Sequence, residues 1–362
     1  MDANESNDGQ RADAADVRAT AIDVHNHAMP IGLLEWLARD GLADLSGIGE
    51  GVVLLDPAVS GVGKNTPLPL ARSQYDPRTR LAEMDGMGVR AHAVSMPPFL
   101  YCSNSEDRRL VTTTITRGND ELAGYVAEGD GRLYGLGSIP LGFPDAATEA
   151  LRCLDDLGFP GVAIGTRGGG KELDDPVHED LWALLAERNV FVFVHPSGVP
   201  DAHRQRDFYL PQLVGYPAET AISIARMIYG GVVERFDLSM CLAHGGGCLP
   251  WLRGRLDLGW QRKDVAHTTT LRPSEFCKRL YYDTAVFDTT LLSHLVSDMG
   301  VDRVLLGTDH PFELGDTDPI ATVLSLGLGA EDTEAILWRT ADSLLASPSS
   351  APPAVHSAKR RR

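Results

Sequence analysis

Ile22-Asp23-Val24-His25-Asn26-His27 is a short apolar run that ends in two histidines separated by one residue. In a β-strand successive side chains alternate between faces, so His25 and His27 project from the same face. Two imidazoles side by side at the end of a buried strand make half of a metal site. They are equally readable as hydrogen-bonded structural histidines. Which reading holds depends on whether the rest of the chain supplies further ligands.

Outward from this segment, apolar β-rich runs alternate with helical patterns. The strands read at 21–26, 90–96, 133–139, 161–165, 190–195, 238–243, 280–285 and 303–308. Helical patterns lie at 81–87, 107–128, 145–157, 176–188, 217–234, 249–262, 287–299 and 331–345. Eight β-then-α units predict an α/β fold, a single (β/α)8 TIM barrel. The alternative is a doubly wound open sheet, but the GxGxxG turn it would want after the first strand is absent. Residues 28–80 are longer than the usual βα connection of about 2–6 residues. Rich in Gly and Pro, they read as a small insertion after strand 1, over the C-terminal mouth of the barrel. Residues 1–18 read as a disordered leader, 19–346 as the domain, and 347–362 as a disordered tail ending Lys359-Arg360-Arg361-Arg362.

Composition narrows the class. With 43% hydrophobic and 23% charged residues the chain resembles an average globular protein. No run approaches the roughly 18 apolar residues that a membrane helix needs, and no signal peptide is visible, so a cytoplasmic protein is expected. Five cysteines without CxxC spacing read as scattered reduced thiols. A net charge of −17 argues against a nucleic-acid partner, whose phosphates it would repel. An anionic small molecule stays possible where a local cation overrides that field.

In a barrel, chemistry belongs at the C-terminal ends of the strands. The fifth strand runs into His195-Pro196, the sixth into His244-Gly245-Gly246-Gly247, and the eighth into Asp309-His310-Pro311. Any one of these residues alone reads as a core histidine or a loop carboxylate. Together with His25 and His27 they place His or Asp at the same end of four strands, which favours a metal. His25, His27 and His195 offer neutral nitrogen and Asp309 an anionic oxygen. That set suits one Zn²⁺, with Mn²⁺ or another divalent ion as alternatives, and leaves a position open for water or substrate. Zn²⁺ can bring the pKa of bound water towards about 7. His244 is then free to act as general base or acid. The glycines after it are expected to keep the approach to the metal clear.

The phrases "IDVHNHAMP", "GKN", "YDPRTRLAEMD", "VHPSG", "PAET", "HGGG…GR", "YYDTAVFD" and "DRVLLGTDHPFELG" span residues 22–315. By them the chain resembles the amidohydrolase superfamily (amidohydrolase 2), and within it the decarboxylases related to 2-amino-3-carboxymuconate-6-semialdehyde decarboxylase. The resemblance implies cofactor-free, non-oxidative loss of CO₂ from a small unsaturated, aromatic or heteroaromatic carboxylic acid. It implies ligation by His25, His27, His195 and Asp309, and catalysis by His244 and Asp309. Either His244 activates a metal-bound water, or the substrate chelates the metal and is protonated at carbon with Asp309 as the shuttle. Superfamily members with two metals carry a carboxylated lysine on the fourth strand. Gly161-Val162-Ala163-Ile164-Gly165 has none, in line with one metal.

The resemblance further implies a homodimer in which Arg255 reaches the neighbouring active site, and a substrate contact for Lys64. An ordinary helix-surface arginine and a solvated loop lysine are the alternatives. The chain also departs from the pattern. The aminocarboxymuconate enzymes carry a second arginine where Leu68 stands, an aromatic residue where Ser197 stands, a tryptophan where Phe208 stands, and a tyrosine where His310 stands. Ser197, Phe208 and His310 are therefore read as substrate-facing positions, and the same dicarboxylate substrate is not expected. A hydrolase or hydratase acting on a lactone, amide or polarised C=C is the other reading of the same residues.

Overall fold

The computed structural model describes residues 20–346. The leader (1–18) and tail (347–362) read from the sequence lie outside the described residues. Eight parallel strands run β1 (Ile22–His27), β2 (Ala91–Ser95), β3 (Leu133–Ser138), β4 (Gly161–Ile164), β5 (Phe191–Val194), β6 (Ser239–Leu242), β7 (Tyr281–Asp283) and β8 (Val304–Leu305). They pair in chain order. The segment after β8 returns to β1: the Val24 N–H donates to the Leu306 carbonyl at 2.9 Å, and the Asp309 N–H to the His25 carbonyl at 2.8 Å. Asn26 and His310 complete a parallel bridge. This closure makes the sheet a (β/α)8 barrel and excludes the open sheet.

Alternation along the strands sorts their side chains into two layers. Phe191, Phe193, Cys241, Ala243 and Leu305 pack together inside the barrel. Val192, Val194, Met240, Leu242 and Leu306 pack outward, with Trp182, Ile224 and Met227 of the surrounding helices. Those helices are α1 (Ile31–Arg39), α2 (Pro77–Met87), α3 (Arg108–Ala127), α4 (Ala146–Asp155), α5 (Glu179–Glu187), α6 (Tyr216–Tyr229), α7 (Leu249–Arg262) and α8 (Thr289–Met299), before a helical run from Ala330 to Leu345.

The regular elements are mostly shorter than the apolar runs suggest. The run 303–308 is a regular strand only over Val304–Leu305, beyond which Leu306 and Asp309 still hydrogen-bond to β1. Helix α2 starts four residues earlier than expected, at Pro77, where Asp76 accepts from the Arg78 and Thr79 N–H groups. The helix expected over 217–234 breaks at Gly230–Gly231. Residues 28–80 contain α1, unforeseen from the sequence, and a three-stranded antiparallel sheet of Ala43–Asp44, Val52–Leu55 and Leu68–Pro69. All five cysteines are free. No described helix is long and apolar enough to cross a membrane.

Candidate metal centre

β1 carries a bulge. Two residues, Val24 and His25, stand opposite the single residue Ala93 between the pairs Asp23–His92 and Asn26–Val94. Past it, His25 and His27 share one face, with ring centroids 5.3 Å apart and nearly perpendicular. β5 continues its inward series Phe191, Phe193 into His195, whose ring lies 5.1 Å from that of His27. Asp309 reaches in from the segment after β8. Its Oδ1 lies 3.2 Å from His25 Nε2 and 3.3 Å from His27 Nε2. One ligand atom from each of His25, His27, His195 and Asp309 falls within 4.8 Å of the others, and all four residues are buried.

Each histidine is oriented from behind. His25 Nδ1–H donates to Asp283 Oδ2 at 2.6 Å, His195 Nδ1–H to the Pro196 carbonyl at 2.8 Å, and His27 Nδ1–H to Ser95 Oγ at 3.2 Å. Such outer partners fix the tautomer and leave the Nε2 lone pairs facing one another. His25 Nε2, His27 Nε2 and Asp309 Oδ1 then find no hydrogen-bond partner. A buried polar atom left so costs about 1–3 kcal/mol. Three of them converging on one point fit a divalent cation, which would take all three at once.

The electrostatics agree. Burial holds His27 down to about 4, and burial with the neighbouring imidazoles holds His195 well below its ordinary value. Both are thus neutral, as ligands must be. Burial opposes charge on His25 too, but Asp309 and Asp283 outweigh it and raise His25 to about 10. The two carboxylates define a position that wants positive charge. Asp309 stays ionised well below the usual carboxylate range, since the imidazoles of His25, His244 and His27 overcome its burial.

His244 comes to this centre by a turn of the backbone. Cys241 and Ala243 point inward, so alternation alone would send residue 244 outward. With φ at 58° it occupies the left-handed region, costly for a residue with a side chain, and its Nε2 comes within 3.5 Å of Asp309 Oδ2. Asp283 at the end of β7 fastens this turn, accepting from the His244 N–H at 3.1 Å and the Gly245 N–H at 2.7 Å. One carboxylate therefore holds a ligand histidine and the candidate base in register. The sequence reading missed Asp283, although it stands at the strand end where chemistry was sought.

The glycines that follow also shape the turn itself, and Gly247 lines the cavity above the centre. Gly245, Gly246 and Gly247 have φ of 59°, 77° and 61°, and a Cβ on Gly247 would lie 2.3 Å from the Pro217 carbonyl. They serve the turn and its packing. A similar approach operates at Gly307, where a Cβ would lie 2.9 Å from that of His25.

Above the centre lies a cavity of about 540 Å³ with His195, His244 and Asp309 in its wall. Most of the remaining wall is apolar: Val62, Leu68 and Pro69 from the 28–80 segment, and Phe99, Phe312 and Leu314 from the barrel loops. Tyr209, Gln212 and Tyr216 supply polar groups, and among the described residues no Lys or Arg lines it. Five positions read as substrate contacts lie elsewhere. Ser197 Oγ faces the loop after β4, accepting from the Thr166 N–H at 3.2 Å. His310 Nε2 pairs with Glu83 Oε2 at 2.8 Å. Phe208 is 86% exposed, with its neighbour Tyr209 in the wall instead. Lys64 and Arg255 are exposed and outside the lining of this chain's own cavity. The sequence reading found no signal for Phe99, Tyr209 or Phe312, which lie outside its helices and strands, or for Tyr216 at the start of α6.

The model of the amidohydrolase family matches residues 22–346. The chain belongs to that family. It is 34% identical over 328 residues to 2-amino-3-carboxymuconate-6-semialdehyde decarboxylase of Dictyostelium discoideum, covering 88% of this chain and 89% of the relative. It is 30% identical over 253 residues to gamma-resorcylate decarboxylase of a Rhizobium strain, covering 65% and 76%. In architecture it is similar to a dihydroxybenzoic acid decarboxylase from Polaromonas solved with bound manganese. There the TM-score is 0.69 at 23% identity, over 90% of this chain and 96% of the other.

Proposed function

We propose that the chain is a metal-dependent, non-oxidative decarboxylase, a carboxy-lyase for a small phenolic, heteroaromatic or otherwise unsaturated carboxylic acid. The observation that carries this reading is the convergence of unpartnered ligand atoms on the floor of a largely apolar cavity. The relatives, which are decarboxylases by name, support it. His25, His27, His195 and Asp309 would hold the metal, and three nitrogens with one oxygen favour Zn²⁺, one per chain. When bound, the ion supplies an electrophile that draws negative charge out of the substrate's carboxylate and neighbouring oxygen.

The chain's own groups handle the proton. The bond between the ring or vinylic carbon and the carboxylate breaks, CO₂ leaves, and the electron pair stays on that carbon, which takes up a proton. His244 Nε2 and Asp309 Oδ2, 3.5 Å apart at the cavity floor, are the pair placed to hold and pass it. The apolar wall excludes water from the carbanionic centre.

The wall also selects the acid. Among the described residues no Lys or Arg of the same chain lines it, so beyond the one carboxylate held at the metal and by a neighbouring subunit's Arg255, a second would be buried without a cation. A monocarboxylate with an adjacent hydroxyl and an apolar remainder fits; a dicarboxylate does not. In a panel assay of Zn²⁺-loaded protein, CO₂ release from phenolic monoacids should exceed that from dicarboxylates by at least about tenfold in kcat/KM. Equal turnover of both would remove the wall as the selector.

Arg255 sits on the outward side of α7, near the exposed Trp251, Leu252 and Leu258. Trp251 is 61% exposed and also lines the cavity, so this apolar face continues into the site. The arrangement supports a homodimer in which Arg255 meets the single carboxylate of the acid at the neighbouring subunit's metal centre. Mixing Arg255→Ala with His25→Ala protein, after dissociation and reassociation, should restore activity through hybrid sites to up to about a quarter of the unaltered level. No restoration despite hybrid formation would place Arg255 outside the neighbouring site.

A further inference from the structure

Arg80 of α2 is fully buried, and Glu83 interacts with its charge only at a distance, without direct pairing. A buried cation without a paired anion is costly, and an apolar side chain of similar size would normally serve a core better. What keeps it is a complete set of acceptors. Its Nε donates to Tyr125 Oη at 2.6 Å and to the Ser73 carbonyl at 3.2 Å. Its Nη1 donates to Asn26 Oδ1 and His92 Nδ1, both at 3.1 Å, and its Nη2 donates to the carbonyl of His27. Asn26 and His27 are the residues between and at the metal-ligating pair of β1.

The hydrogen bonds from Arg80 end at His92. A guanidinium can only donate, so His92 Nδ1 accepts and its Nε2 carries the hydrogen. That Nε2 finds no hydrogen-bond partner and lies 3.6 Å from Asp23 Oδ2, an electrostatic contact only. Asp23 in turn accepts from the His25 N–H at 2.9 Å, and from the Thr308 hydroxyl at 2.6 Å and N–H at 3.2 Å. The β1 backbone at Asn26 and His27 is thereby held by one buried cation on the side away from substrate, while Asp23 separately ties His25 to Thr308, next to Asp309.

We infer that Arg80 is a positioning residue of the metal centre, setting the place of the β1 ligands through these hydrogen bonds. The inference rests on the metal reading of the site. Lysine cannot reproduce the planar fork that reaches five acceptors. Arg80→Lys should therefore bind Zn²⁺ roughly 10–100-fold more weakly, in line with losses of outer-shell partners elsewhere. Metal affinity is read by competition with a chromophoric chelator, and ligand geometry by the visible spectrum of the Co²⁺-loaded protein. Circular dichroism of the metal-free protein checks the fold.

A folded Arg80→Lys protein with weakened affinity and a shifted Co²⁺ spectrum supports the inference. Unchanged affinity and spectrum overturn it. Should Arg80→Lys not fold, Asn26→Ala removes one acceptor and leaves the guanidinium in place. It should weaken metal binding by about tenfold, and no change there overturns the inference equally. Failure of the unaltered protein to bind Zn²⁺ or Co²⁺ is a separate result that overturns the metal reading itself.

Discussion

His244→Ala should retain one metal per chain and lose roughly 10²–10⁴-fold in kcat, the usual contribution of a positioned proton-transfer group. The four ligand residues do not include His244, and their outer partners are Asp283, Pro196 and Ser95. Removing the imidazole takes away a group near the proton and one contact to Asp309 Oδ2, while all four ligand side chains stay. The side chain is only slightly exposed, so the cavity it leaves opens to the substrate space. Metal content by atomic emission and kcat by CO₂ release check both halves. Full activity with full metal would take His244 out of the reaction.

Asp309→Asn is expected to be more damaging, because one residue does two jobs. Its Oδ1 lies with the histidine nitrogens and its Oδ2 faces His244. The amide keeps the shape but loses the charge that favours a cation beside the buried imidazoles. Activity should fall roughly 10⁴-fold or more, at or beyond the upper end for a single proton-transfer group, and metal content should fall below one per chain. A variant that keeps stoichiometric metal and loses less than about tenfold in kcat would assign both jobs elsewhere. Comparing the two variants separates proton handling from ligation.

The centre was legible because a parallel barrel writes it into strand ends. Apolar β runs that stop at His25, His195 and Asp309 can be read directly, and closure of the sheet turns a shared end into a shared place. His244 was legible as a residue but not as a direction, since strand alternation points it outward and the left-handed turn brings it back. Ser197 and His310 show the opposite failure. Both follow ligand residues closely, yet local partners, Thr166 and Glu83, turn their side chains from the cavity. Arg80 was invisible as a functional residue. A charged side chain on a helix with few apolar positions reads as surface, and only the fold reveals the acceptors that bury it.

The central claim is that this metal centre removes a carboxylate and returns a proton to the same carbon. Turnover of a phenolic monoacid by the Zn²⁺-loaded protein in D₂O enriched in ¹⁸O tests it most directly, with the product analysed by mass and by NMR. The account predicts one CO₂ per product, one deuterium on the carbon that bore the carboxylate, and no ¹⁸O in the organic product. A product that keeps its carboxylate and gains ¹⁸O would contradict it, and would make the protein a hydrolase or hydratase on the same scaffold.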